Sequence, residues 1–209
     1  MTRIVVGGIA GLLYPLVRAI AAWLGPRDRM PDYPRFDLGS RSPASQLVEA
    51  LSLVCLIVFV SALPAFARAR DDGTGSRPSF VLSVVAISAW GAVKLAATGL
   101  DPYQELTVVA ASAPVLAIGV AAAARLAARG HLLAGYAAFP VSLLLLLTGA
   151  TSLFPLHVVD ARPFGLGLIH QDPGAWNPGG PIDALAFGGF AVWVFGLGAA
   201  MISRSGAKG

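Results

Sequence analysis

The chain has 209 residues, of which 56% are hydrophobic and only 12% are charged, and its mean hydropathy is +0.72. A soluble globular domain carries about a quarter charged residues, so this composition excludes that class. The net charge of +4 does not indicate a nucleic-acid partner, because the basic residues stand singly or in pairs at the ends of apolar runs and form no basic stripe.

Six apolar runs follow one another along the chain, each long enough for a spanning helix of roughly 20 residues. They cover residues 4–24, 45–67, 79–99, 102–124, 132–153 and 181–203. We therefore predict an all-α fold: a polytopic membrane helix bundle of about six transmembrane helices, forming a single domain over residues 1–209.

The first run loosely imitates a cleaved signal peptide, because Arg3 precedes an apolar stretch that ends in AIAA at residues 19–22, with small alanines as at a cleavage site. Arg18 argues against cleavage. A cation just before the small residues is unusual in a signal peptide, so we predict a retained first helix.

Proline and small residues predict where helices begin and where they approach each other. Three dipeptides have the form of helix starts, namely Ser42-Pro43, Asp101-Pro102 and Gly180-Pro181. Kinks are expected at Pro15, Pro64, Pro114 and Pro140. Small residues along helix faces predict close helix contacts at Gly7, Gly11, Ala184, Gly188, Gly196 and Ala200. We favour contacts within the molecule, with contacts between subunits as the alternative.

Two connections are long, residues 25–44 and 154–180, and an even number of spans separates them, so both lie on one face. The other face carries eight Arg and Lys residues against five on the long-loop face. The positive-inside rule then predicts cytoplasmic termini and two outer loops, of which residues 154–180 form a lid.

The acids are distributed unevenly, since nine of the eleven belong to the long-loop face. Two cations lie within predicted spans, Arg18 and Lys94, and each is roughly 10 Å below that same face at 1.5 Å per residue. A charge in hydrocarbon costs at least a few kcal/mol, so such residues usually face the bundle interior and have partners.

Candidate partners at matching depth are Glu49, Glu105 and Asp183. We predict an outward-open polar chamber walled by these acids and the two cations; the alternative is that both cations extend to the membrane surface on their long stems. The candidate ligand-binding residues are Arg18, Lys94, Glu105, Tyr14, Asp101 and Trp176.

The lid contains His157, Asp160, His170 and Asp172, whose imidazole and carboxylate groups suit zinc, iron or manganese. Neither pair has the spacing that places two ligands on one helix face, and prolines and glycines surround them. We predict a lid without metal, with a metal site or acid–base use of one histidine as alternatives. No cofactor is expected. Cys55 is the only cysteine, so no disulfide is possible within the chain.

The stretches LFPLHVVD and GPIDALAFGG, with Phe154, Pro155, Asp160 and the helix after Asp183, resemble segments of small six-helix bacterial membrane proteins of unknown function. That resemblance implies a multi-pass protein of a bacterial-type inner membrane. An acid in an early helix and another in the last, here Glu49 and Asp183, is similar in layout to integral-membrane terpene cyclases.

Two main functions fit this sequence. One is a non-catalytic binding or accessory subunit of a membrane assembly, with a membrane lipid, a hydrophobic small molecule or a membrane protein as partner. The other is a membrane-embedded isomerase or cyclase for a lipid or isoprenoid, in which Glu49 and Asp183 are the catalytic acids. A small transporter is a third possibility, although helices four to six carry few polar residues below their outer turns.

Overall fold

A computed structural model describes residues 2–24, 43–68, 77–98, 100, 102–153 and 181–206. Seven α-helices account for these segments, and the described residues contain no strand. The helices are α1 (Thr2–Leu24), α2 (Pro43–Arg68), α3 (Arg77–Ala97), α4 (Pro102–Ala111), α5 (Ala113–Gly130), α6 (Leu132–Leu153) and α7 (Pro181–Gly206).

All helices except α4 are long and apolar enough to cross a membrane, which gives six candidate spans in the described chain. The predicted all-α membrane bundle is therefore confirmed. Three helices begin at the prolines that marked their starts, Pro43, Pro102 and Pro181. A proline fits the first helical turn because its missing N–H has no intrahelical acceptor there.

The fourth span differs from the prediction. Instead of one helix over 102–124, α4 ends at Ala111 and α5 continues to Gly130. Pro114 explains the break, because it has no N–H to donate to the carbonyl of Ala110. The N–H of Val115 bonds instead to the carbonyl of Ser112 at 3.0 Å, a tighter turn than that of an α-helix.

Helix α6 packs closely against this break. A Cβ at Gly149 would lie 2.2 Å from Cγ of Pro114, so only glycine fits. The other three prolines predicted to cause kinks, Pro15, Pro64 and Pro140, lie inside uninterrupted helices.

The spanning helices form a closed ring in chain order. Helix α1 packs on α2, α2 on α3, α3 on α5, α5 on α6, α6 on α7, and α7 on α1. Helices α2 and α5 also meet across the ring. Helices α1, α3 and α6 finish at one end of the bundle, and α2, α4 and α7 begin there. We call it the long-loop end, because residues 25–42 and 154–180 connect helices at this end.

Glycines allow α1 to approach both of its neighbours. A Cβ at Gly7 would lie 2.1 Å from Cβ of Ala62 in α2, and one at Gly198 would lie 2.8 Å from the carbonyl oxygen of Gly8. The predicted internal packing is thus correct for Gly7 and also for Gly11, which faces Gly198. It is wrong for Gly188 and Gly196, where an added Cβ would meet nothing within 4 Å.

Aromatic rings fill the interior between α1, α2 and α7. Tyr14 and Phe190 meet edge to face with their centroids 5.7 Å apart, and Trp193 contacts both Phe190 and Phe59 at 6.3 Å. The indole N–H of Trp193 donates to the carbonyl of Ala134 in α6 at 2.8 Å. This bond ties α7 to α6 in the apolar core.

Trp193→Phe is expected to lower the free energy of unfolding by about 1 kcal/mol more than Trp90→Phe does, because it removes that hydrogen bond. Trp90→Phe is the comparison, since the buried indole N–H of Trp90 has no hydrogen-bond partner among the described residues and a phenyl ring still presents an aromatic face to the ammonium of Lys94. Reversible unfolding in mixed detergent–lipid micelles measures both variants. Equal losses would contradict a stabilising role for the Trp193 bond.

Candidate polar site at the long-loop end

Glu49 lies in the second turn of α2, on the face turned toward the bundle interior. It shares this face with Ser52, Leu53 and Leu56, and all four are buried. Residues three, four and seven positions apart face one direction on a helix. The hydroxyl of Ser52 donates to the carbonyl of Glu49 at 2.7 Å. The carboxylate therefore enters the interior from an otherwise apolar helix.

Lys94 approaches Glu49 from α3. Its ammonium forms an ion pair with Oε1 of Glu49, and only 3% of the residue is exposed. Because α3 ends at Ala97 rather than at the predicted residue 99, Lys94 lies about 4.5 Å from the helix end instead of the expected 10 Å. It is nevertheless enclosed by protein, so it does not extend to the bundle surface.

Arg18 approaches the same carboxylate from α1. Its Nη1 donates to Oε1 of Glu49, the oxygen that also pairs with Lys94. Unlike the two other groups, the Arg18 side chain is 33% exposed. Three helices are thus joined by one carboxylate oxygen, and Arg18 is the most accessible residue of the three.

Two further candidates lie beside this cluster. Glu105, in the first turn of α4, is 2% exposed, and its charge acts on Arg18. Tyr14, one turn before Arg18 on α1, is 3% exposed and interacts electrostatically with both Arg18 and Glu49. We call Arg18, Glu49, Lys94 and Glu105 the charge cluster; with all four ionised, their charges sum to zero.

The remaining predicted site residues cannot be placed against the cluster. Asp183 belongs to the first turn of α7, but its side chain lies outside the described part of the structure. The other predicted residues lie wholly outside it, and they are Asp101, Trp176, His157, Asp160, His170 and Asp172. Within the described segments, no group of three or more His, Cys, Asp or Glu residues could hold a metal ion.

Trp90 also belongs to the site, although it was not among the predicted residues. The ammonium of Lys94 lies 5.6 Å from the centre of the Trp90 ring, within the range of a cation–π contact. Trp90 also stacks on Phe187 of α7, with centroids 6.1 Å apart. The spacing of Trp90 and Lys94 could have predicted this contact, because residues four apart on a helix are neighbours.

Comparison of the chain with models of protein families, with curated proteins and with solved structures found no match. The geometry of the charge cluster is therefore the basis for functional inference.

This geometry links three helices through one buried carboxylate. The buried carboxylate of Glu49 neutralises cations from two other helices, which fixes α1, α2 and α3 relative to one another. A third of the Arg18 side chain remains exposed.

Proposed function

We propose that this protein is a non-catalytic binding or accessory subunit of a membrane assembly, with a polar chamber that opens at the long-loop end. The observation that carries the proposal is the convergence of Arg18 and Lys94 on the buried carboxylate of Glu49.

Charge balance supports a non-catalytic role. Among the residues that the structure describes, the four charges of the cluster sum to zero, which supports internal compensation of these buried charges. A membrane-embedded cyclase or isomerase would use Glu49 as a proton donor. A carboxylate that neutralises two cations acts as an acceptor instead, which favours the binding subunit over the enzyme.

The accessibility of the cluster supports binding as well as registry. If the four charges served helix registry alone, all of them would be enclosed. Glu49, Lys94 and Glu105 are enclosed, each at most 3% exposed, but a third of the Arg18 side chain is accessible. A polar group of a lipid, a hydrophobic small molecule or a partner protein would meet the Arg18 side chain first.

We further propose a bacterial-type inner membrane as the location, with cytoplasmic termini and an outward-facing chamber. The excess of eight cations over five on the face opposite the long loops supports this orientation. Labelling of single cysteines introduced at Ser203 and Ala44, in a Cys55→Ala background, with a membrane-impermeant maleimide tests it in intact cells. Labelling at position 44 alone is expected, and labelling at position 203 alone would reverse the orientation.

The function itself is tested by extracting the protein from its native membrane into detergent-free lipid nanodiscs and measuring intact masses. We expect the wild type to retain a stoichiometric partner protein or an unmodified lipid. The variant Glu49→Gln/Lys94→Gln is expected to lose this partner or lipid. It removes one charge of each sign, so the net charge of the remaining Arg18 and Glu105 is still zero.

Arg3→Gln/Asp72→Asn provides the matched control, because it also removes one charge of each sign, outside the charge cluster. It is expected to retain whatever the wild type retains. A chemically altered lipid or isoprenoid that accumulates with the wild type, and not with Glu49→Gln at matched folding, would instead support the enzyme.

A further inference from the structure

We infer that the guanidinium of Arg18 is a binding site for a phosphate group, supplied by an anionic phospholipid or by free phosphate, at the opening of the polar chamber. This inference rests on the proposed binding function and names the chemistry of its ligand.

Arg18 lies on the face of α1 that packs against the bundle. Gly7, Gly11, Tyr14, Arg18 and Ala21 recur at intervals of three and four residues, so they share one face of α1. The other four are buried against the bundle, and Tyr14 and Ala21 are only 3% and 1% exposed. The exposure of Arg18 therefore arises through an opening between helices and not on the outer surface of α1.

The outer surface of α1 is formed by a different set of residues. Leu13, Leu16 and Ile20 are each 44% or more exposed, and they lie on the opposite side of the helix from Arg18. These side chains suit lipid tails. The position of Arg18, about 9 Å before the end of α1 at Leu24, places the opening near the long-loop end.

The donor geometry of Arg18 suits a phosphate. A guanidinium carries five N–H donors in a planar fork. Within the described structure its hydrogen bond is the one from Nη1 to Glu49, which leaves the edge formed by Nε and Nη2 for another acceptor. Two parallel N–H donors on one edge match two oxygens of a phosphate.

The surrounding charges determine how such a ligand is held. Lys94 strengthens the positive potential at Glu49, while Glu105 offsets it, so the charge cluster has no net charge to attract an anion. Paired hydrogen bonds to the guanidinium edge must then supply the affinity. Such a site has a low affinity for phosphate. We therefore expect it to be occupied in a membrane, where lipid phosphates are locally concentrated.

Arginine modification of the wild-type protein tests this inference without any substitution. The protein is held in maltoside micelles, which contain no phosphate, and treated with phenylglyoxal; the modification rate of each arginine is followed by peptide mass spectrometry. Arg18 is expected to react in micelles alone. Phosphatidylglycerol at about ten times its Kd should slow that reaction roughly tenfold.

The two possible sources of phosphate are separated by parallel samples. Protection by phosphatidylglycerol but not by inorganic phosphate assigns the site to a lipid, and protection by both assigns it to phosphate from either source. A neutral diglucosyl lipid is expected to protect little. Arg3, exposed on the same helix, serves as the internal control and should slow less than twofold at the lipid concentration that protects Arg18 tenfold.

Three results would overturn the inference: an unreactive Arg18 in micelles alone, no protection by either phosphate source, or equal protection of Arg3 and Arg18. A second measurement compares the rise in Tm caused by phosphatidylglycerol in Arg18→Gln and Arg3→Gln, and only Arg18→Gln should lose it. Failure of these tests is distinguishable from failure of the proposed function, which depends on retention of a partner or lipid by the nanodisc samples.

Discussion

Glu49→Gln is expected to lower the free energy of unfolding by about 3–5 kcal/mol, because it removes the carboxylate that neutralises Arg18 and Lys94. Glutamine has nearly the same volume, so the loss reports on charge and hydrogen bonding rather than on packing. Reversible unfolding in mixed detergent–lipid micelles, followed by helix content, measures it.

A double-mutant cycle separates the ion pair from a general effect of the substitution. Glu49→Gln/Lys94→Gln leaves one uncompensated cation fewer than Glu49→Gln, so it should be more stable than the sum of the two single variants predicts. Arg3→Gln, at the opposite end of α1, is expected to change stability by less than about 0.5 kcal/mol. Additive losses in the cycle would show that Lys94 and Glu49 do not depend on each other.

Gly198→Ala is expected to lower the free energy of unfolding by about 1–3 kcal/mol. The added Cβ would lie 2.8 Å from the carbonyl oxygen of Gly8 and 3.1 Å from Cα of Gly11. Both are backbone atoms that cannot rotate away, so α1 and α7 would have to separate. The same unfolding measurement tests this variant.

Gly196→Ala provides the matched control on the same helix. A Cβ there meets nothing within 4 Å, and alanine favours the helix over glycine by about 1 kcal/mol, so stability should stay unchanged or rise. If the two variants behaved alike, the close approach of α1 and α7 would not be the reason for glycine at position 198.

Composition and apolar periodicity were sufficient to predict the helices but not the shape of the fourth span. Pro114 was recognised as a position for a kink, as were Pro15, Pro64 and Pro140. The helix breaks at Pro114 and continues through the other three. Whether a proline interrupts a helix depends on what neighbouring helices provide around it, and the sequence does not report those neighbours.

Only part of the charge cluster was predicted, because its contacts also depend on how neighbouring helices are placed. Two cations and three acids at similar distances from helix ends indicated that they would meet, since isolated charges in an apolar helix are costly. The sequence did not indicate that one oxygen of Glu49 would serve both Arg18 and Lys94, because helix rotation decides which groups touch. It also indicated a close contact at Gly196, which faces outward, and not at Gly198, which is packed internally two residues further along.

The order of the three pairing groups along the chain has a consequence for membrane insertion. Arg18 in α1 is synthesised first, Glu49 in α2 follows, and Lys94 in α3 comes last. The hairpin of α1 and α2 can therefore enter the bilayer as a neutral pair before α3 leaves the ribosome. Lys94, the most enclosed cation, then enters a membrane that already contains its counter-ion. This order spares each arriving helix part of the cost of transferring an unpaired charge, about 2.5–3.5 kcal/mol at a helix centre.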